Sequence, residues 1–376
     1  MDSLHPETPA ELAAALADAA SRGRSIRLGG NFTKDALSRP TEGEVTISTK
    51  ALKKVLSYEP SDLTISVESG LPYAELRRIL AGHRQMVPLD PPFADTATVG
   101  GVVAANHSGP RRRLYGSARD LVIGMTYATL EGKLIQSGGM VVKNVAGLDT
   151  GKLMIGSFGT LAAMAVINFK LTPIPAVSRT YVLRFANLQA ALSRRDAILK
   201  SVLAPVAIDL ITPGAASRIG LEGFSLLVQA SGNTAVMARY SQDFSSAQVF
   251  EGDAEEPLWQ KVREYTPAFV AREPQGAIAR VSSTLNQVGD ILDAAPGEAI
   301  SRAGSGVTYI YLAGPEAAAR WTRDAQAGGW KYALEYSTGD LERWPNPGTD
   351  FAIMIKVKEL FDPQRLLNRG RLYGRI

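Results

Sequence analysis

The sequence predicts an α+β protein of two domains, and three observations lead there. The chain has 376 residues, more than a single domain of about 150 residues accommodates. Short strand-like runs alternate with helix-like runs, and their texture changes across the proline-bounded segment Pro173–Val177. Glycine-rich turns recur throughout the first half.

The elements follow in order. Thr8-Pro9-Ala10-Glu11 predicts a helix start, with Thr8 capping, Pro9 in the first turn and Glu11 completing a capping box; the helix should end near Arg22-Gly23. Residues 25–30 (SIRLGG) read as a short strand ending in a glycine turn, and 44–48 and 63–70 alternate as strands do. Pro72 opens a second helix that Gly82 closes. Residues 121–138 predict a hairpin turning at Glu131-Gly132. Residues 161–175 begin with small residues, finish as a strand and are stopped by prolines. Beyond Pro175, strands are expected at 180–185, 206–211, 224–230, 277–283, 307–313 and 331–337, with helices across 188–203, from Thr234, up to about 294 and from Pro315. That order suits a mainly antiparallel sheet, and its two halves read as a structural duplication without a sequence repeat. A last helix is expected over 349–360, followed by a tail that packs back on the body. The expected domains are 1–175, 176–350 and a returning segment 351–376.

Composition narrows the function. Hydrophobic residues make up 45% and charged residues 21% of the chain, the balance of an ordinary globular protein. The absence of cysteine excludes disulfides, thiolate metal sites, iron–sulfur ligation and a cysteine nucleophile. A net charge of +4, with one dense basic run at Arg111–Arg113, is not the footprint of a nucleic-acid binder. Acidic residues interrupt the opening segment, so no signal peptide is expected, nor any transmembrane segment. His5, His83 and His107 are dispersed in sequence, so no metal site is expected. The dinucleotide fingerprint, the Walker loop and the Gly-x-Ser-x-Gly elbow are all missing.

The glycine turns lie at 27–34, 96–109, 115–120, 141–149 and 155–162. Their spacing fits several strand ends converging on one ligand rather than one loop. Backbone N–H groups in such turns bind anionic oxygen, and glycine permits the close approach. A long, flat ligand with a diphosphate would use this set.

Residues 25–175 resemble the FAD-binding domain of the vanillyl-alcohol oxidase and para-cresol methylhydroxylase (PCMH-type) flavoproteins. LGGN (28–31) stands at the diphosphate loop, TVGGVVAANHSG (98–109) resembles a flavin-cradling segment, and VKNVAGLDTGKLMIGSFGTLAAM (142–164) resembles the family signature. Within that superfamily the chain is similar to the FAD-binding E subunits of glycolate oxidase, through VVKNVAGLD, KLMIGSFGTL and FDPQRLLNRGRLY. The resemblance implies a PCMH-type FAD domain and a smaller α+β cap. It implies a cytoplasmic flavoprotein, or one peripheral to the inner face of the membrane through partners. The function implied is a subunit of a complex that oxidises glycolate to glyoxylate and passes electrons via flavin to its partners. Those partners would be a catalytic flavoprotein subunit and an iron–sulfur subunit, and the substrate a small 2-hydroxy acid. Two alternatives stand beside it: a self-sufficient hydroxy-acid or alcohol dehydrogenase, and an assembly subunit with a vestigial flavin site.

The resemblance assigns cofactor binding to Leu28, Gly29, Gly30, Asn31, Phe32, Thr33, Asp90, Thr98, Val99, Gly100, Gly101, Asn106, Ser108, Gly109, Gly147, Gly159, Ala162, Met164 and Asn368. Covalent relatives tether flavin through a histidine; Asn31 in the diphosphate loop implies noncovalent FAD. Catalytic residues are unassigned. His107 reads either as a packing residue or as a catalyst, and Lys143, with Asn144, either as a cation facing the flavin or as a solvent-facing hairpin residue. Arg111–Arg113 read as a solvated loop or a docking point. Asn368 and Arg371 read as a closure over the flavin edge or as tail packing. The four tryptophans, all in the second half, read as core or as a partner surface.

Overall fold

The computed structural model describes residues 2–35, 37, 41–140, 148–338, 341–345, 348–374 and 376. The chain divides into two units, one of residues 1–107, 117–174 and 344–376, the other of 108–116 and 175–343.

In the first unit the strands are β1 (Asp2–Leu4), β2 (Ile26–Gly29), β3 (Val45–Ser48), β4 (Val55–Glu59), β5 (Thr64–Glu68), β6 (Gln85–Met86), β7 (Val122–Ala128), β8 (Leu134–Gly138), β9 (Ala163–Lys170) and β10 (Thr172–Pro173). They form a small parallel sheet, β1-β3-β2, a five-stranded sheet, β4-β5-β9-β7-β8, with antiparallel neighbours, and a β10-β6 pair. Helix Pro9–Ser21 begins as its sequence dictates: Thr8 accepts from the Glu11 N–H, and Glu11 reaches back to the Glu7 N–H. Its Leu12 and Leu16 pack with Ile26 and Ile47 of the parallel sheet and Ala163 and Ala165 of β9. A second core joins β5, β7 and β9 to helices Tyr73–Ala81 and Val99–Ala105. The hairpin β7–β8 turns through Gly132.

The second unit holds β11 (Val177–Phe185), β12 (Ala207–Ile211), β13 (Phe224–Gly232), β14 (Gln248–Glu251), β15 (Ala277–Ser282), β16 (Glu298–Arg302), β17 (Val307–Leu312) and β18 (Lys331–Ser337). They make one eight-stranded antiparallel sheet in the order β14-β11-β13-β12-β16-β17-β15-β18. Numbered within each half, the order is 4-1-3-2 from β14 to β12 and again from β18 to β16. This is the split βαβ arrangement, present twice and joined edge to edge through the second strand of each half. The predicted duplication is thus one of topology. Period-two alternation divides the cores: Ile208, Leu210, Leu226 and Val228 face one, Ala207, Ile211 and Leu227 the other. Burial on both faces explains why VAIDLI and FSLLVQA are mostly apolar rather than strictly alternating.

Several elements depart from the sequence reading. The segment 96–109, read as a glycine turn, contains helix Val99–Ala105, capped by Thr98, which accepts from the Gly101 N–H (3.2 Å). Its glycines let a helix rather than a loop approach: the Gly100 N–H donates to Ser69 O at 2.7 Å. Strand β16 and helices Glu255–Arg263 and Tyr265–Arg272 were not anticipated. Arg113 is no solvated loop residue. Its guanidinium donates to Pro205 O (2.9 Å) and packs against Gly304, all within the second unit. Trp259 and Trp321 are core residues, 2% exposed each.

Candidate functional site

A cleft in the first unit has two adjoining lobes of about 380 and 460 Å³ that share Leu28, Gly29, Gly30, Gly101, Ala104 and Phe158. The turn after β2 forms one wall. A side chain on Gly30 would place its Cβ 2.1 Å from Thr98 Oγ1, so only glycine brings this turn so close to helix Val99–Ala105. The loop 156–162 forms the facing wall. Gly159 there has φ +70°, and a Cβ would sit 2.9 Å from Asn368 Nδ2.

The first lobe continues over Thr49, Ser69, Gly100, Gly159, Ala162, Ala163 and Met164. It is mostly apolar, and its two hydroxyl side chains are Thr49 and Ser69. The Ser69 hydroxyl is buried and, among the described residues, has no hydrogen-bond partner. A buried polar atom left this way costs stability unless a ligand or water meets it.

The second lobe runs over Asn31, Phe32, Thr33, Lys34, Asp35, Thr98, Ala105, Asn368 and Arg371. Among the described residues the N–H groups of Asn31, Phe32 and Thr33 make no hydrogen bond within the protein. Phe32 is left-handed, φ 53°, and such a residue in a turn curls successive N–H groups into an anion-binding concavity. Cations surround it. Lys34 Nζ donates to Pro92 O (2.7 Å) and lies 4.9 Å from the centre of the Phe93 ring. Arg371 donates to Asp35 Oδ1 (3.1 Å) and Lys34 O (2.9 Å). Arg27 donates to the other oxygen of Asp35. Burial pushes the Arg371 guanidinium down from its usual range, and the Asp35 carboxylate pulls it back.

The C-terminal segment completes both walls. Leu366–Asn368 lies beside β2, with the Ile26 N–H donating to Leu366 O and the Asn368 N–H to Ile26 O. Asn368 Nδ2 donates to Leu28 O (3.0 Å) and Phe158 O (2.8 Å), while its Oδ1 accepts from the Leu28 N–H (2.8 Å).

The structure therefore brings Leu28, Gly29, Gly30, Asn31, Phe32, Thr33, Thr98, Gly100, Gly101, Gly159, Ala162, Met164 and Asn368 to one cleft. Asp90, Val99 and Asn106 do not line it: Asp90 is a left-handed loop residue, Val99 is buried at the helix start, and Asn106 caps the helix end beside Gly156. Ser108 and Gly109 fall in the second unit. Lys143, Asn144 and Gly147 lie outside the described residues. His107 is buried. The sequence reading missed Lys34, Asp35, Thr49, Ser69, Ala104, Ala105, Phe158 and Ala163. The available signal was VESGLP (67–72), a strand ending in small residues as β2 does, with Gly70 too crowded by Thr49 O for any Cβ.

Residues 3–138 match the family model described as an FAD binding domain. The glycolate oxidase subunit GlcE of Escherichia coli K12 is 31% identical over 350 residues, 92% of this chain and 92% of that protein. The chain belongs to the GlcE family of glycolate oxidase subunits. Two further relatives match over the first half. Subunit GlcD of Bacillus subtilis glycolate oxidase is 30% identical over 172 residues, 46% of this chain and 37% of that protein. The D-lactate dehydrogenase of Anaerostipes hadrus is 31% identical over 169 residues, 45% of this chain and 35% of that protein. Among solved structures, an alkyldihydroxyacetonephosphate synthase superposes with a TM-score of 0.75 at 16% identity, covering 97% of this chain and 76% of that one. At that identity the likeness is one of fold. The protein is thus an FAD-binding flavoprotein of an oxidoreductase family, with the α+β architecture of FAD-linked oxidases.

The cleft fits FAD by its own chemistry. The unpaired N–H groups and flanking cations of one lobe suit a diphosphate. The glycine- and alanine-lined lobe, with the unpartnered Ser69 hydroxyl, suits a flat ring with a polar edge. No helix among the described residues is long and apolar enough to cross a membrane.

Proposed function

We propose that this chain is the FAD-binding subunit of a glycolate oxidase complex, taking part in the oxidation of glycolate to glyoxylate and passing electrons to partner subunits. The observation that carries this reading is the identity with GlcE across 92% of both chains. When bound, FAD supplies the two-electron acceptor that such an oxidation needs.

The chain's own residues bind and orient. The 31–33 N–H groups and Lys34 would hold the cofactor's diphosphate, the Ser69 hydroxyl would offer a hydrogen bond to its ring, and Gly30, Gly101 and Gly159 would let the backbone approach it. Asn31 at the turn offers no nucleophile for a covalent tether, so FAD binds noncovalently. With no cysteine, the chain supplies no thiolates for an iron–sulfur relay, and that part falls to an iron–sulfur subunit. The substrate acid–base groups are assigned to a sister flavoprotein subunit: among the described residues no histidine lines the cleft, and its charged side chains are engaged within the protein, Lys34 with Pro92 O and Arg371 with Asp35. The second unit is assigned to substrate or partner recognition, and the complex to the cytoplasm or, through its partners, the inner membrane face.

The test is anaerobic. The isolated chain, loaded with FAD, should keep its flavin absorbance when mixed with glycolate, and the complex co-purified from its host should lose it. Bleaching by the isolated chain would make it a self-sufficient dehydrogenase. A purified chain that takes up no FAD even when the cofactor is added would remove the proposal altogether.

A further inference from the structure

Helix Phe351–Phe361 packs Val357 and Phe361 against the core of the first unit, yet its most deeply buried side chain is a lysine. Its one buried residue is Lys358, 2% exposed, while Ile353 and Leu360 are 65% and 81% exposed. A lysine goes inside only where its charge and all three donors are met. Here each is. Lys358 Nζ donates to Asp362 Oδ2 (2.7 Å), Thr160 O (2.6 Å) and Leu367 O (3.0 Å). Asp362, fully buried, also accepts from the N–H groups of Leu366 and Leu367 (2.9 and 2.8 Å). Burial pushes the Lys358 amine down, and the Asp362 carboxylate opposes that.

The acceptors come from two parts of the site, Thr160 from one and Asp362 and Leu367 from the other. Thr160 lies in the loop 156–162, one wall of the cleft. Leu367 lies in the segment that pairs with β2, the other wall, and next to Asn368, which bonds to both. The ammonium is therefore a junction between the C-terminal segment and the loop facing the cofactor. We infer that Lys358 is a positioning residue for the cofactor cleft, through which the order of residues 362–371 and the binding of FAD are linked. This rests on the reading of the cleft as the FAD site. Linkage is reciprocal: if the ordered tail raises affinity for FAD, FAD must raise the order of the tail by the same factor.

Two measurements test it. Hydrogen exchange on the full chain, with and without saturating FAD, reads the amides of Leu366, Leu367 and Asn368. They should exchange about tenfold more slowly with FAD bound. Unchanged exchange there, with slowing at residues 31–33, would overturn the inference while leaving the FAD site intact. The second measurement uses the double substitution Lys358→Met with Asp362→Asn, which removes both charges and keeps a side-chain acceptor for the tail. Its FAD dissociation constant, from flavin fluorescence, should rise about tenfold. A folded double variant with affinity within about twofold of the parent, a shift too small for such a coupling, would sink it. Should that variant not fold, the exchange result decides. A parent chain that binds no FAD would instead remove the site reading itself.

Discussion

Asn368 hydrogen-bonds both backbone groups of Leu28, a residue 340 positions earlier, accepting from its N–H at 2.8 Å and donating to its carbonyl at 3.0 Å. A carboxamide here stands in for a backbone partner at the end of β2, and its second donated bond goes to Phe158 O. Asn368→Asp keeps the acceptor and loses the donors. The variant should be less stable by about 1–3 kcal/mol, the range for buried carbonyls left unmet, and should retain less FAD. Urea unfolding and the flavin-to-protein absorbance ratio check this.

Gly30→Ala forces a methyl group into Thr98, whose Oγ1, Cγ2 and Cβ would lie 2.1, 2.9 and 3.0 Å away. Thr98 caps the neighbouring helix and has no room to retreat freely. Overpacking of this kind costs about 1–3 kcal/mol, and the displaced turn should release FAD. Gly297→Ala is the control, since nothing lies within 4 Å of its Cβ; its stability should stay within about 0.5 kcal/mol. Thermal unfolding of both, with and without FAD, reads the difference.

Arg302, 9% exposed, is paired with Asp209, which is fully buried, across the β12–β16 seam. Arg302→Met alone removes the ion-pair partner of the buried carboxylate and should cost about 3–5 kcal/mol. Adding Asp209→Leu should recover most of that loss, because the desolvation penalty goes with the pair. Guanidinium unfolding of the two single variants and the double variant gives the coupling energy.

Asp120 accepts from the Ser117 N–H and hydroxyl at 2.8 and 3.0 Å, and the backbone bond in particular holds its carboxyl below the ordinary 3.8. A depressed carboxylate pKa contributes stability that is full above the unfolded-state value and fades as pH falls through the folded one. The advantage of the parent over Asp120→Ala should therefore be constant near neutrality and shrink below about pH 3.8. Unfolding curves between pH 7 and pH 2 measure it; a gap that widens in acid would contradict the assignment.

Much of the fold was legible because its signals are local. Thr8, Pro9 and Glu11 set a helix start within four residues, and alternation marked β3 and β5 within their own lengths. Helix Val99–Ala105 was not legible, because its valines and glycines are poor helix formers. Packing against Ser69 and the Thr98 cap decide its conformation, and that neighbour is distant in sequence. The same holds for the site. The turn at Gly29–Thr33 announced itself, whereas Ser69, Phe158 and Lys358 acquire their roles only when strand ends and tail meet. A lysine in an apolar helix reads as the polar face, and nothing in FAIMIKVKELF marks Lys358 as its most buried side chain.

The two halves of the large sheet share a short ladder between β12 and β16, with Leu210 opposite Ser301 and Ile211 opposite Ile300. Each half completes its own four-strand order without the other. During synthesis the earlier half therefore has its full complement of strands before β15 leaves the ribosome, with β12 waiting as a bare edge. Until its counterpart arrives, that edge is the place where a nascent chain would capture the wrong neighbour.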